Sequence, residues 1–181
     1  NRISFDGLID FLAVEWVSAP QRPSGFVART NHLPWVTAGQ QPAFLSSADT
    51  LSRLVTPGFD PRREVLLPPE SRDPCATAQP GAARILSSQF CPHRIRVELR
   101  AEAPGLVVLS QSHFRPWRAR VDGAAAEIHR ANLAFQAILV PAGSRVLELT
   151  YEDRRFRVGL LVSVAAWITL IGWWSVTRRE V

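Results

Sequence analysis

The sequence predicts a mainly β protein with a few short helices (α+β), in which an antiparallel β-sandwich is followed by one C-terminal transmembrane helix. Between residues 92 and 153, apolar and polar side chains alternate with the period of two that is typical of half-buried strands. The pair Asp122-Gly123 separates two of these runs, and it indicates a hairpin because both central residues of such a turn must accept positive φ. Residues 158 to 176 carry no charge, and as a helix of about 28 Å they would be long enough to cross a hydrocarbon core.

The strands before the hairpin are predicted from their patterns. In "RIRVELR" the residues Ile95, Val97 and Leu99 share one face, and charged residues occupy the other. The run "LVVLS", residues 106 to 110, is continuously apolar, which is typical of a strand covered on both faces. "WRARV", residues 117 to 121, alternates again.

The strands after the hairpin extend the series. The return strand is expected to place Ala126 and Ile128 inward and to leave Glu127 and His129 outward. "LAFQAILV" and "RVLELTY" are the last two strands, with a turn at Pro141-Ala142-Gly143 between them. The residues expected to be mostly buried are Trp117, Ile128, Phe135 and Leu149.

Residues 1–91 are predicted as a less regular segment that leads into the β domain of residues 92–153. "SFDGLIDFLAVEWVSA" is typical of an amphipathic helix capped by Ser4 and followed by a short strand near Trp16. "SSADTLSRLVTPG" predicts a second helix capped by Ser47 or Asp49, and "EVLLP" predicts a strand. The proline-rich residues 68 to 81 are expected to form an exposed loop.

The amino-acid composition restricts the classes of function that this chain can have. The chain has 181 residues, is 46% apolar and carries a net charge of +5, so it can bury a core of about one domain. Every basic residue is arginine, and no nucleic-acid motif is present, so no nucleic-acid partner is expected. Because the sequence contains no methionine, we expect it to be the C-terminal part of a longer protein.

The two cysteines leave two interpretations open. Cys75 and Cys91 could form a disulfide in an oxidising compartment, closing a loop of about 17 residues and contributing about 3 kcal/mol. They could equally be unpaired small residues. The four histidines are scattered without ligand spacing, so no metal and no cofactor is predicted.

The segment "HFRPWRARVDG" also has two interpretations. Trp117 and the outward arginines Arg115, Arg118 and Arg120 could form a substrate-binding site, whereas the simpler interpretation is a core tryptophan beside a solvated strand face. Exposed aromatic residues would favour contact with sugar, and the sequence offers Trp16, Trp35 and Trp117.

The C-terminal segment determines the membrane topology that we expect. Trp173 and Trp174 precede Arg178 and Arg179, as in an aromatic belt followed by an interfacial anchor. We expect residues 1–153 to be extracytoplasmic and residues 177–181 to form a cytoplasmic tail, although arginines at both ends leave the orientation open on charge alone. A further interpretation is contact with anionic phospholipid, made by the arginines at 154, 155 and 157.

Four stretches carry a family resemblance: "LIDFLAVEWV", "LVTPGFDPRREVLL", "RPWRARVDGAAAEIHRANLAFQAILVPAGSRVLELTY" and the final apolar segment. Together they resemble the C-terminal region of YfhO-type bacterial membrane proteins, which are similar to GT-C glycosyltransferases. The third stretch is the most specific. The positions that match in it are Pro116, Trp117, Asp122, Gly123, Asn132, Phe135, Val140, Pro141, Gly143 and Tyr151.

The resemblance implies a carbohydrate-binding-module-like sandwich outside the bacterial cell membrane. It implies as partners membrane lipid, the upstream membrane-spanning part of the same protein, and lipid-linked sugar or glycan. The catalytic carboxylate of GT-C enzymes lies in an early loop upstream of this region, so no catalytic residue is predicted here, and Asp60, Glu64 and Asp73 are expected to be solvated. Two functions remain: a noncatalytic module that supports sugar transfer to a cell-envelope acceptor, or a purely structural or partner-binding domain.

Overall fold

A computed structural model describes residues 12–21, 23–30, 32–56 and 58–177, and in this part the chain is mainly β. The strands are β1 (Trp16–Ser18), β2 (Phe26–Ala28), β3 (Val36–Ala38), β4 (Gln41–Phe44), β5 (Glu64–Leu67), β6 (Ala83–Cys91), β7 (Arg94–Ala101), β8 (Gly105–Leu109), β9 (Trp117–Val121), β10 (Ala124–Ala126), β11 (His129–Ala131), β12 (Phe135–Val140) and β13 (Val146–Tyr151). The helices are α1 (Ser47–Leu54), α2 (Arg72–Cys75) and α3 (Arg154–Thr177), and a 3-10 turn spans Pro69–Ser71.

Two antiparallel sheets form the body of the fold. The five-stranded sheet has the order β10-β9-β13-β7-β6, and the four-stranded sheet has the order β11-β12-β8-β3. Strands β4 and β5 form a separate parallel pair, and β1 pairs with β2. The predicted antiparallel strands between residues 92 and 153 are therefore confirmed.

The two large sheets pack face to face across one apolar core. The five-stranded sheet contributes Val97, Leu99, Leu147 and Leu149, all 2% exposed or less. The four-stranded sheet contributes Val107, Leu109, Ile138 and Val140. Sheet-on-sheet burial of this kind is the defining feature of a sandwich.

A second apolar layer covers the outer face of the four-stranded sheet. Leu106 and Val108 point to this side, where they pack with Val65 and Leu67 of β5 and with Cys75 of α2. Strand β8 is consequently buried along its whole length, which confirms the prediction of a strand covered on both faces.

The turn at Asp122-Gly123 is confirmed. Both residues have positive φ, 49° and 85°, and β10 folds back on β9 with Ala124 opposite Val121. A two-residue turn with positive φ at both positions matches the twist of the flanking strands.

Burial after the turn differs from the prediction. Trp117, Phe135 and Leu149 are buried as expected, but Ile128 is only partly buried. His129 was expected to face outward and is instead 6% exposed. The reason is that β10 ends in one sheet and β11 begins in the other, so the alternation does not continue through the connection.

The first half of the chain contains more regular structure than predicted. The strands at Trp16 and at residues 64 to 67 are confirmed, and the helix near residue 50 is present as α1. Its cap is Ser46, whose Oγ accepts a hydrogen bond from the Asp49 N–H, rather than Ser47 or Asp49. Residues 4–11 of the predicted first helix lie outside the described residues.

The prediction of a loop over residues 68 to 81 is wrong in part. Pro69 begins a 3-10 turn that runs into α2, because proline at a first helical position has no N–H that needs a partner. Strands β2, β3, β4 and β6 were not predicted; β6 lies at a sheet edge with a register irregularity between Ile85 and Ser87.

The predicted transmembrane helix at 158–176 is wrong: in the part of the chain that the structure describes, no helix is long and apolar enough to cross a membrane. Residues 158–176 do form one continuous helix as part of α3, Arg154–Thr177, so the prediction is wrong about the membrane span and not about the helix. Arg178 and Arg179 lie outside the described residues.

The disulfide interpretation is also wrong, because Cys75 and Cys91 are both free. Cys75 is buried beneath the four-stranded sheet, whereas Cys91 is exposed at the end of β6 in the five-stranded sheet. The two thiols therefore belong to different layers of the molecule.

Candidate functional site

A cavity of about 560 Å³ opens beside strands β9 and β10, and we call it the arginine cleft. Its basic side chains are Arg115, Arg118 and Arg120, the three that the sequence singled out. The cleft is also lined by His113, Phe114, Trp117, Ala119, Ala125, Ala126, Glu127, Ile128 and Glu152.

Strand alternation explains why two of these arginines face the cleft. Trp117, Ala119 and Val121 point into the core, so Arg118 and Arg120 between them point outward. Arg118 donates to the carbonyl of Arg115 (3.2 Å), and Arg120 donates to the carbonyl of Gly123 (2.9 Å). These bonds orient the guanidinium groups but do not neutralise them.

The cleft arginines have no ion pair among the described residues. Glu148 lies opposite Arg120 in the strand register, but its Oε1 accepts bonds from Arg94 and Arg96, each at 2.6 Å. These two arginines hold the pKa of Glu148 below its ordinary value, mainly through the hydrogen bond from Arg94. The carboxylate opposite Arg120 is therefore already engaged, and Glu127 and Glu152, which also line the cleft, form no ion pair with these arginines among the described residues.

The accessible aromatic residue of the cleft is Phe114, not Trp117. Trp117 is 8% exposed and meets Tyr151 edge-on at 5.4 Å, so too little of the ring is available to stack on a sugar. Phe114 is 57% exposed and stacks on Tyr151 at 6.4 Å. Sequence reasoning missed Phe114, although its position in a non-alternating stretch just before β9 was a usable signal.

A smaller cavity of about 410 Å³ adjoins the arginine cleft and shares Phe114 and Trp117 with it. Its polar lining comes from His93, Gln111 and Ser112. Hydrogen-bonding side chains next to an exposed ring are the arrangement that sugar hydroxyls and a sugar C–H face require.

The other tryptophans named from the sequence lie elsewhere. Trp16 and Trp35 are 57% and 53% exposed, and neither lines the arginine cleft. Trp35 meets Phe90 edge-on at 5.7 Å. Exposed Arg155 and Arg157 lie in the first turn of α3.

The predicted turn residues have structural roles. Asp122 Oδ1 accepts from the N–H groups of Val146 (2.9 Å) and Arg145 (3.1 Å). Gly143 has a φ of 84° and donates to the Ala101 carbonyl at 2.8 Å. Pro141 lies in the same turn, and its carbonyl accepts from Ser144.

The carboxylates considered for acid and base chemistry do not converge. Glu64 forms an ion pair with Arg53. Asp60 accepts from the Arg62 N–H and pairs with Arg63 at 3.4 Å, and Asp73 lies in α2. Burial raises the pKa of the Cys75 thiol to about 11, so at neutral pH it is protonated and is a poor nucleophile. The arrangement is suited to binding an anion beside an apolar ring.

Comparison of the chain with protein-family models, with curated proteins and with solved structures found no match.

Proposed function

We propose that this chain is a noncatalytic binding module whose arginine cleft holds an anionic group. The supporting observation is that Arg115, Arg118 and Arg120 line one cavity and form no ion pair within the described residues. Arginine is well suited to phosphate and carboxylate because its planar guanidinium presents paired donors to their oxygens.

More specifically, we propose that the module belongs to a multi-spanning bacterial membrane protein of the YfhO type, with the sandwich on the extracytoplasmic side. There it supports the transfer of sugar from a lipid-linked donor to a cell-envelope acceptor. The arginines contact the phosphate of the donor, and Phe114 with Gln111 and Ser112 contacts the sugar. The module's contribution to rate is positional, since correct orientation of a bound reactant lowers the barrier without a chemical group.

A binding experiment tests this proposal on the chain itself. Glucose 1-phosphate is titrated against the protein, with methyl glucoside as its uncharged counterpart. We expect measurable binding only of the phosphate, and at least tenfold weaker binding after replacement of Arg115, Arg118 and Arg120 by glutamine, because each charge-assisted bond is worth about 1.5–3 kcal/mol.

A matched control carries the same charge change elsewhere on the surface. Arg84, Arg100 and Arg145 are exposed and lie outside the cleft, so their triple glutamine variant is expected to bind glucose 1-phosphate nearly as well as the parent. Equal loss in both triple variants would indicate a general charge effect. Unchanged binding in the cleft variant would favour the alternative function, a purely structural or partner-binding domain.

The proposal also predicts that the chain alone transfers no sugar from a lipid-linked donor to an acceptor. The carboxylates that the sequence offered for acid and base chemistry, Asp60, Glu64 and Asp73, do not line the arginine cleft, and general acid and base groups must lie within hydrogen-bond reach of the reacting atoms. Glycosyl transfer by the purified chain, followed with a radiolabelled donor, would contradict it.

A further inference from the structure

A second cavity, of about 460 Å³, shares Ala125, Ala126 and Glu127 with the arginine cleft, and we call it the alanine pocket. Its apolar wall includes Val121, Ala124, Ala126, Leu139 and Pro141. The volume falls within the range of roughly 300–1,000 Å³ that is usual for small-molecule sites.

Two buried polar residues line this pocket, Ser144 and His129, and His129 is the titratable one. Its neighbour Ala131 and its strand partner Ala137 both belong to the core layer below the four-stranded sheet, so by alternation the imidazole points to that side. His129 is 6% exposed, and no hydrogen bond of its ring is found among the described residues. The ring therefore offers a hydrogen-bonding group to a ligand in the pocket.

The charged residues of the alanine pocket are opposite in sign to the net charge of the molecule. The chain has a net charge of +5, yet the charged side chains that line this pocket are the carboxylates of Asp122 and Glu127. Asp122 Oδ1 already accepts two backbone N–H groups, whereas Glu127 has no ion pair in the described part of the chain.

Burial lowers the pKa of His129, and His113 lowers it further while Glu127 opposes them. The ring is therefore neutral at pH 7, and one of its nitrogens is a hydrogen-bond acceptor. An acceptor nitrogen beside two carboxylates disfavours an anionic ligand and favours a donor with a positive charge.

We propose that the alanine pocket binds a small organic cation, with its ammonium group between Glu127 and His129 and its aliphatic body against the alanine wall. Glu127 also lines the arginine cleft, and the proposed occupants of the two cavities have opposite charges.

Three cyclohexane derivatives test the proposal by isothermal titration calorimetry: cyclohexylammonium, cyclohexanecarboxylate and cyclohexanol. They share one apolar body and differ in charge. We expect cyclohexylammonium to bind at least fivefold more tightly than cyclohexanol, and cyclohexanecarboxylate not to bind. Equal affinity for the ammonium and the alcohol, or tighter binding of the carboxylate, would overturn the proposal.

Two glutamine variants locate the site. Glu127→Gln removes the pocket carboxylate that accepts no backbone N–H, and it should weaken the binding of cyclohexylammonium about fivefold, the upper value for an exposed ion pair. Glu152 lines the arginine cleft and not the alanine pocket, so Glu152→Gln should leave this affinity unchanged. Equal effects of the two substitutions would contradict the assignment.

The cation proposal and the arginine-cleft proposal can fail independently of each other. Replacement of Arg115, Arg118 and Arg120 by glutamine should weaken the binding of glucose 1-phosphate at least tenfold without weakening the binding of cyclohexylammonium. A loss of cyclohexylammonium binding in that variant would place the cation in the arginine cleft and refute the second site.

Discussion

Asn132 connects the sandwich to the layer below it through one residue of β5. Its Oδ1 accepts from the Leu66 N–H at 2.8 Å, and its own N–H donates to the Leu66 carbonyl at 2.7 Å. The side chain is buried and the φ of 48° is positive, a conformation that asparagine tolerates better than most residues. Asn132 thus supplies the two hydrogen bonds that a neighbouring strand would otherwise make with Leu66.

We expect Asn132→Ala to destabilise the fold by about 1–3 kcal/mol, because it leaves the buried Leu66 N–H without an acceptor. Asn132→Asp retains an acceptor oxygen for the Leu66 N–H but introduces a negative charge. It therefore serves as a comparison in which the hydrogen bond can still form. Urea denaturation followed by tryptophan fluorescence measures both. An alanine variant as stable as the parent would show that this bond contributes nothing net.

The two cysteines should differ sharply in reactivity. Cys91 is exposed and Cys75 is buried, with the pKa of Cys75 raised to about 11 by burial and by Glu127. Because the thiolate is the reactive form, a thiol reagent should modify Cys91 rapidly in the native protein and Cys75 only after unfolding. Cys91→Ser should abolish the rapid phase, and a rapid phase that survives would contradict the buried placement of Cys75.

At the scale of elements, Glu148 joins β13 to its neighbour β7 through two charged hydrogen bonds. It lies on β13, and its two arginine partners lie on β7. These arginines lower its pKa from an ordinary value of 4.5. A depressed carboxyl pKa in the folded state adds stability at a pH above the ordinary value, and this stability is lost as pH falls through the lower folded value.

The stability of Glu148→Gln relative to the parent should therefore depend on pH. The variant should be less stable than the parent at pH 7, and the difference should shrink as pH falls below about 4.5, because both proteins then lack the charge. Thermal unfolding between pH 3 and pH 7 measures this. Thr150→Ala on the same strand provides a control whose effect should not vary with pH, and a constant difference for Glu148→Gln would contradict the role of its charge.

At the scale of the whole molecule, the sandwich closes where β8 approaches β6. A Cβ added to Gly105 would lie 2.9 Å from the Ala83 Cβ and 3.2 Å from the Ala83 nitrogen. These two strands belong to different sheets, so any side chain at this position would push the sheets apart.

We expect Gly105→Ala to destabilise the fold by about 1–3 kcal/mol, the usual range for overpacking a core. Gly159 in α3 is the matched control because nothing lies within 4 Å of a Cβ added there, and alanine is favoured over glycine within a helix. Chemical denaturation of both variants measures the effect. Equal stability of the two would show that the sheets can separate at no cost.

The local sequence pattern was sufficient to predict much of the β domain. Alternation predicted the strands around Val97 and Ala119, and the dipeptide Asp122-Gly123 predicted its turn, because strand period and turn conformation depend on neighbouring residues alone. The same local information identified Arg118 and Arg120 as outward-facing, so the basic part of the arginine cleft was predictable.

Other features of the protein depend on contacts between residues that are distant in the sequence, and only the tertiary structure revealed them. The buried state of His129 follows from the passage of the chain between two sheets, and the separation of Cys75 from Cys91 follows from a third layer that alternation does not reveal. The exposed position of Phe114, whose ring stacks on Tyr151, also depends on the folded structure. The sequence by itself determined which segments form strands and where the sandwich turns, since these are short-range preferences of the backbone. Only the folded molecule determined which side chains share a cavity, because that depends on how the sheets are stacked.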